Sequence, residues 1–287
     1  VLSVLLAVAA VTVWRQVNFI RHKDLGFRRD HLIVLPVFLS HRESRADRSE
    51  YLAARYPAVK RAFLEHPGVE KATAYTFPEG MGLSRLRLVR SEGEGHDEVY
   101  MPLQQADEDY LDTFGMKLVE GRNFSVATRS DFTDAVIVNE AAVKQFGWEE
   151  PLGKRFEVVF LERQGTVIGV VEDYHHESLE RPIGPTAIYM RFHFCSYLSL
   201  RVRSENFSET VDHLEETWNR FVPNRLFRFW FVDEQIDSLY REDRRLAQLF
   251  TVFASLAIFV ACLGLFGLTA YTVEQRTKEI GVRFSFC

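Results

Sequence analysis

From Leu246 to Val273 the chain reads LAQLFTVFASLAIFVACLGLFGLTAYTV, without one charged residue. At about 1.5 Å per residue, such a run exceeds the roughly 20 residues that cross the hydrocarbon of a bilayer. A helix buried in a soluble core is the alternative reading. The run is apolar on all faces, however, and Ala261, Gly264, Gly267 and Ala270 give it small-residue surfaces suited to packing against another membrane helix. We read 246–273 as a transmembrane helix. The remainder is too polar to lie in lipid, with 26% charged residues and a mean hydropathy of -0.12. The expectation is a soluble body with spanning segments at its ends.

The opposite end agrees. Val1 to Trp14 (VLSVLLAVAAVTVW) is apolar and is followed by Arg15. Fourteen residues are short for a span, and the run lacks the basic n-region of a secretory signal, so it reads as the end of a transmembrane helix in a longer protein. Residues 15–30 and 238–245 then form stalks, and 274–287 lies on the far side of the membrane from the excursion between them. Arg15, Arg21, Lys23, Arg28 and Arg29, with Arg241, Arg244 and Arg245, border that excursion. Counted by the positive-inside rule alone they favour a cytoplasmic excursion, but long domains translocate largely regardless of such counts.

Formal net charge is -5, and setting aside the three basic and two acidic residues beyond Val273 leaves -6. That balance excludes a nucleic-acid binder that works by clustered cation. Cys195, Cys262 and Cys287 are widely separated, with neither zinc-knuckle spacing nor a disulfide framework.

Within the body, His31–Val37 is β-rich. Leu52, Tyr56, Val59 and Phe63 stand at helical spacing, with Pro57 as a kink or restart, and Val69–Thr76 returns as a strand. The same grammar recurs later as strand 198–202, helix 207–221 with Val211, Leu214, Trp218 and Phe221 on one face, and strand 226–232. Two such units at opposite ends of one domain predict an α+β fold. The domain is a split βαβ sandwich over 31–237, with an inserted mixed α+β lobe at about 105–185, flanked by transmembrane helices. The insert carries strand 98–104, a helix near 109–114, the turn EGRNF, strand 135–139, helix 140–146 and a hairpin of 156–160 with 166–171.

Catalytic signatures are missing: no phosphate loop, no GxSxG elbow and no HExxH is present. Glu172-Asp173-Tyr174-His175-His176-Glu177 is the best nominal ligand cluster. Adjacent histidines on a strand or turn point apart, and no second cluster supports them, so we read a polar loop. His193 and His213 read as exposed or structurally satisfied. The expectation is a chain without catalytic, cofactor or metal residues. Past the membrane, Glu274–Arg283 is charged and amphipathic and ends at Gly281. Lipid anchoring and docking of a soluble partner both suit it.

Six segments carry a further signal. They are HKDLGF (22–27), YLDTFGMKLVEGRNF (110–124), AVIVNEAAVKQFGWEEPLGKRF (135–156), VIGVVEDYHHESL (167–179), FVDEQIDSLYREDRRLAQLF (231–250) and ACLGLFGLTAYTVEQRTKEIGVR (261–283). In this order they resemble the FtsX-like, MacB-like permeases of bacterial ABC transporters, in particular the long two-halved forms of Bacteroidetes, over nearly the whole chain. The resemblance implies a porter-like, extracytoplasmic MacB-like core domain between two transmembrane helices in the bacterial inner membrane. It implies a non-enzymatic permease subunit of the macrolide or antimicrobial-peptide export or lipoprotein-release type. It also implies a separate ABC ATP-binding subunit as partner, a homodimer or internally two-halved assembly, and contact with membrane lipid. Arg276, Thr277, Lys278, Glu279, Ile280 and Arg283 would then couple to the ATPase from the cytoplasmic side. The competing class is a membrane-tethered sensor or binding module. Relatives continue past this segment with a Lys-x-x-Gly-Ala stretch and two more membrane helices. This chain instead reads Phe284-Ser285-Phe286-Cys287, the expectation for a truncated or frameshifted fragment.

Overall fold

A computed structural model describes residues 8, 11–12, 15, 25–36, 45–76, 86–91, 98–158, 163–176, 181–191, 195–223, 226–239 and 241–285. The chain divides into two units, Asp24–Ser238 and a second made of Val1–Lys23 with Leu239–Cys287.

The first unit begins with β1 (Leu32–Pro36), in which all five residues are buried. Helix α1 (Arg45–Leu64) follows and runs through Pro57 without a break. The expected restart does not occur. Pro57 faces outward, where water can satisfy the carbonyl that the missing N–H leaves open. Strand β2 (Val69–Tyr75) closes this βαβ unit. Its counterpart is β10 (Tyr197–Val202), helix α4 (Phe207–Phe221) and β11 (Trp230–Phe231).

The four strands lie in the order β11-β1-β10-β2, every neighbour antiparallel. Each βαβ unit therefore straddles a strand of the other, which is the expected split arrangement. The expected strand 226–232 is shorter than its sequence pattern: only Trp230 and Phe231 pair with β1. In that register Pro36, which has no N–H, would stand opposite Arg228, and the ladder stops before it. Helices α1 and α4 cover one face. Tyr56, Val59 and Phe63 from α1, and Leu214 and Trp218 from α4, pack on Ile33, Leu35, Ala72, Ala74, Leu198 and Leu200. The alternate strand residues, Leu32 and Val34 among them, are also buried. They face the other way, and burial on both faces explains why β1 carries no polar residue.

Between β2 and β10 the chain forms β3 (Leu86–Ser91), β4 (Glu98–Ala106), a short helix α2 (Tyr110–Phe114), β5 (Leu118–Gly121), a 3₁₀ turn (Arg129–Phe132), β6 (Ala135–Asn139), α3 (Glu140–Phe146), β7 (Arg155–Val158), β8 (Arg163–Val171) and β9 (Ala187–Met190). Pairings run β4-β3-β7-β8-β6-β9, and β9 returns to β4 in parallel register, Leu103 opposite Ala187. The expected mixed α+β lobe is thus a closed six-stranded barrel, and closure removes the unpaired edges an open sheet would expose. Val89, Met101, Leu103, Val136, Val138, Val158, Val167, Ala187 and Tyr189 fill it, with Ala142 and Phe146 of α3. Its strands extend from Leu86 to Met190, beyond the expected 105–185. Strands β3, β5 and β9 have no counterpart in the sequence reading. Strand β3 carries Arg87 and Arg90 three residues apart, which breaks a period of two, and all four residues of β5 are exposed, so neither reads as an alternating strand. Helix α5 (Val232–Leu239) ends this part of the chain.

In the second unit, α6 (Arg241–Ser285) is one helix of 45 residues. The stretch Gln248–Val273 is, among the described residues, the one helix long and apolar enough to cross a membrane. Phe253, Leu256, Phe259, Leu263 and Phe266 are all exposed on it, and Ala254 is buried. With Ile258, Leu265 and Leu268, also exposed, they surround the whole helix circumference, a pattern suited to lipid. The expected stop at Gly281 is not there: the helix continues to Ser285, because a single interior glycine costs only about 1 kcal/mol. Of the stalk expected at 15–30, residues 16–24 lie outside the described residues.

Candidate functional site

The sequence places the coupling segment at Arg276, Thr277, Lys278, Glu279, Ile280 and Arg283. All six lie on the last turns of α6, in unbroken helix with the apolar run. Arg276 is exposed; the side chains of the other five lie outside the described residues. On a helix, positions 276, 279, 280 and 283 recur at i, i+3, i+4 and i+7, a spacing that brings both charge signs and one apolar residue to one side.

No group of three or more His, Cys, Asp or Glu positioned to hold a metal occurs among the described residues. His175 and His176 lie in the loop expected after β8, but that loop is packed inward. Both are buried, the backbone N–H of His175 donates to Leu25 O at 2.8 Å, and the His176 ring packs edge-on to Tyr174. His213 is half-buried, stacked on His66 with centroids 4.6 Å apart and 3.3 Å from Thr217 Oγ1, so it is structurally satisfied. His193 lies outside the described residues.

The residues that carry the sequence resemblance turn out to be joints of the fold. Gly26 has φ +75°, and a Cβ there would run into the Asp173 carbonyl. Asn139 caps α3 by accepting from Ala142 N at 3.1 Å, while its amide donates to Asp173 Oδ1 at 2.7 Å and Gly184 O at 3.0 Å. Asp173 Oδ1 also accepts from Ala141 N at 2.8 Å. Gly115 and Gly147 end α2 and α3 in the left-handed conformation. Arg122 grips Asp131 through two bonds of 2.7 and 2.8 Å, and the bonds from Arg122 hold the Asp131 carboxyl below its ordinary range.

Two buried charges escape any sequence motif. The Arg201 guanidinium, on β10, donates only to main-chain carbonyls: Thr113 O at 3.0 and 2.6 Å, Asp30 O at 2.9 Å and Arg28 O at 2.9 Å. Burial lowers its affinity for the proton, and Arg28 nearby adds to this. It pins α2 and the Leu25–Asp30 segment to the sheet face opposite α1.

The second is Asp107, directly after β4. Its carboxylate accepts from Tyr56 Oη and from Lys60 Nζ at 2.8 Å, both on α1, and from Thr73 Oγ1 and Ala74 N on β2. Asp109 N donates to it at 3.2 Å. Lys60 Nζ also pairs with Asp109 and lies 5.6 Å from the centre of the Tyr56 ring. Burial pushes the Tyr56 phenol up, and the Asp107 charge adds to that. For Lys60, burial favours loss of the proton, but the charge and hydrogen bond of Asp107 outweigh it and hold the ammonium above its ordinary value. One signal was available in the sequence: Lys60 follows Tyr56 by four on the apolar stripe of α1, and a lysine inside such a stripe requires a buried anion.

A family model, the MacB-like periplasmic core domain, matches residues 1–216. The macrolide export ATP-binding/permease protein MacB of Bartonella henselae is 26% identical over 245 residues, covering 77% of this chain and 36% of that protein. MacB of Aggregatibacter actinomycetemcomitans is 28% identical over 188 residues, 62% of this chain and 29% of its own. The chain spans about a third of the length of these relatives. The crystal structure of the periplasmic region of MacB from Actinobacillus actinomycetemcomitans superposes with a TM-score of 0.52 at 17% identity, covering 77% of this chain and 97% of that one. At that identity the likeness is one of fold, and it holds for the α+β architecture described above.

Proposed function

The chain belongs to the MacB-like periplasmic core domain family, and we propose that it is part of the permease subunit of an ABC transporter. In this reading residues 31–237 stand outside the cytoplasm, 246–273 cross the inner membrane, and Arg276, Thr277, Lys278, Glu279, Ile280 and Arg283 meet an ATP-binding subunit carried on a separate chain. The subunit makes no covalent change itself. It converts ATP-driven displacement at the cytoplasmic face into movement of the outer domain, in export of macrolides or antimicrobial peptides or in release of lipoproteins. A second copy or a second half of the same permease completes the pathway.

The observation that carries this reading is the continuity of α6. The stalk from Arg241 onward, the apolar span and the charged end form one helix of 45 residues, roughly 67 Å long. A helix has no internal joint at which an axial or tilting displacement is lost, so motion at its cytoplasmic end reaches its outer end. The test is co-purification of the full-length protein with a nucleotide-binding subunit and stimulation of that subunit's ATPase in lipid. Loss of both in an intact, inserted protein leaves a membrane-tethered sensor as the function.

A further inference from the structure

We propose that Asp107 is a mechanical joint: its buried carboxylate makes helix α1 and the barrel move as one body. The inference concerns the Asp24–Ser238 unit and holds whether or not that unit serves transport.

The argument starts from how little backbone joins the helix-covered sheet to the barrel at this point. Strand β2 meets β4 at a single register pair, Tyr75 with Ala106. Two main-chain bonds cross beside it: Thr76 N to Gln105 O at 3.0 Å and Asp107 N to Ala74 O at 3.1 Å. On the sheet face away from α1, Arg201 adds a second attachment through Thr113 O of α2. A seam held by two such bonds and clamped on one face can open on the other, since each bond contributes only modestly to rigidity. None of these contacts involves α1.

Helix α1 reaches the barrel's first shared strand through side chains. Tyr56 and Lys60, one turn apart, converge on the Asp107 carboxylate from the helix, while Thr73 and Ala74 hold it from β2. Asp107 is 1% exposed and Lys60 9%. In so dry a setting the pair resists separation, because neither charge can be rehydrated without opening the core. Asp107 sits one residue beyond Ala106, whose β4 neighbours carry the ladders to β3 and β9. A push on α1 is therefore delivered to the root of β4 and into the closed barrel. A pivot at the seam would otherwise absorb it.

The experiment measures the distance between spin labels at Arg61→Cys, exposed on α1, and Glu149→Cys, exposed after α3. It uses the full chain in lipid, with Cys262 and Cys287 replaced by Ser and the buried Cys195 left unlabelled. The parent should give one narrow distance. Asp107→Asn, which cannot hold Lys60 as an ion pair, should broaden the distribution about twofold and speed amide exchange at Ala74 and Asp107 on the order of tenfold. Tyr56→Phe removes one donor without removing the charge pair and should give a smaller broadening; it decides the matter if Asp107→Asn does not fold. Arg122→Ala, which breaks an ion pair inside the barrel lobe, should leave the distance unchanged. An unchanged width in the folded Asp107 or Tyr56 variants overturns the joint, as does equal broadening in Arg122→Ala, which would mean general loosening.

Discussion

The ammonium of Lys60 and the carboxylate of Asp107 lie 2.8 Å apart in the interior, although 47 residues separate them in the chain. One comes from a helix of the outer layer and the other from the end of a barrel strand. Lys60 is held charged by Asp107, whose attraction overcomes the penalty of burying the ammonium. Breaking a buried pair from one side strands the other charge. Lys60→Met is therefore expected to destabilise the domain by about 3–5 kcal/mol, read as a lower urea midpoint by tryptophan fluorescence. A midpoint within error of the parent refutes this.

The same pair sets an alkaline limit. Folded-state values of Lys60 and Tyr56 are both raised, so their contribution is fully present below their unfolded values and is lost as pH rises through the folded ones. Stability should fall above about pH 10 to 10.5, where unfolded tyrosine and lysine lose their protons. Tyr56→Phe should show a shallower alkaline decline than the parent.

Acid stability should depend on Arg122 and Asp131. The Asp131 value is lowered, so its contribution is present above the unfolded carboxyl value of about 3.9 and disappears as pH falls through the folded one. At neutral pH Arg122→Ala should cost about 1–3 kcal/mol, leaving a buried carboxylate with only the Ser125 N–H at 2.8 Å. Because the parent loses this interaction in acid, the difference between the two proteins should shrink below pH 4.

Gly26 should tolerate alanine worse than Gly147. Both have positive φ, a strain of about 1–2 kcal/mol for an L-residue. Only at Gly26 would the added methyl also collide with backbone, at Asp173 and Tyr174; at Gly147 it meets open space. Thermal unfolding of the two variants should rank them in that order, and equal melting temperatures would show that the turn relaxes.

Topology and coupling can be separated in cells. With Cys262 and Cys287 removed, a membrane-impermeant thiol reagent should label Glu149→Cys and not Arg276→Cys; the reverse pattern overturns the orientation.

In the full-length protein, Glu279→Lys with Ile280→Ser should abolish ATPase association without affecting membrane insertion. If association survives and responds only to loss of Arg276, Lys278 and Arg283, the segment is a lipid anchor.

What the sequence by itself determined is whatever a short window encodes. The uncharged length of α6 and the apolar run of 135–139 are read directly, and the stripes of α1 and α4 repeat at about 3.6 residues; such signals are visible without any partner. The order of two βαβ units with an insert was legible for the same reason. Tertiary structure alone decided which strands pair. Closure of the barrel through Leu103 and Ala187 joins positions that no local pattern relates. It also decided the fate of the buried charges. Asp107 finds donors on α1 and β2, and Arg201 finds carbonyls of Arg28, Asp30 and Thr113, 173, 171 and 88 residues away. A main-chain carbonyl carries no residue identity, so its partnership with a distant guanidinium exists only once the chain has folded and excluded the water that would otherwise solvate both.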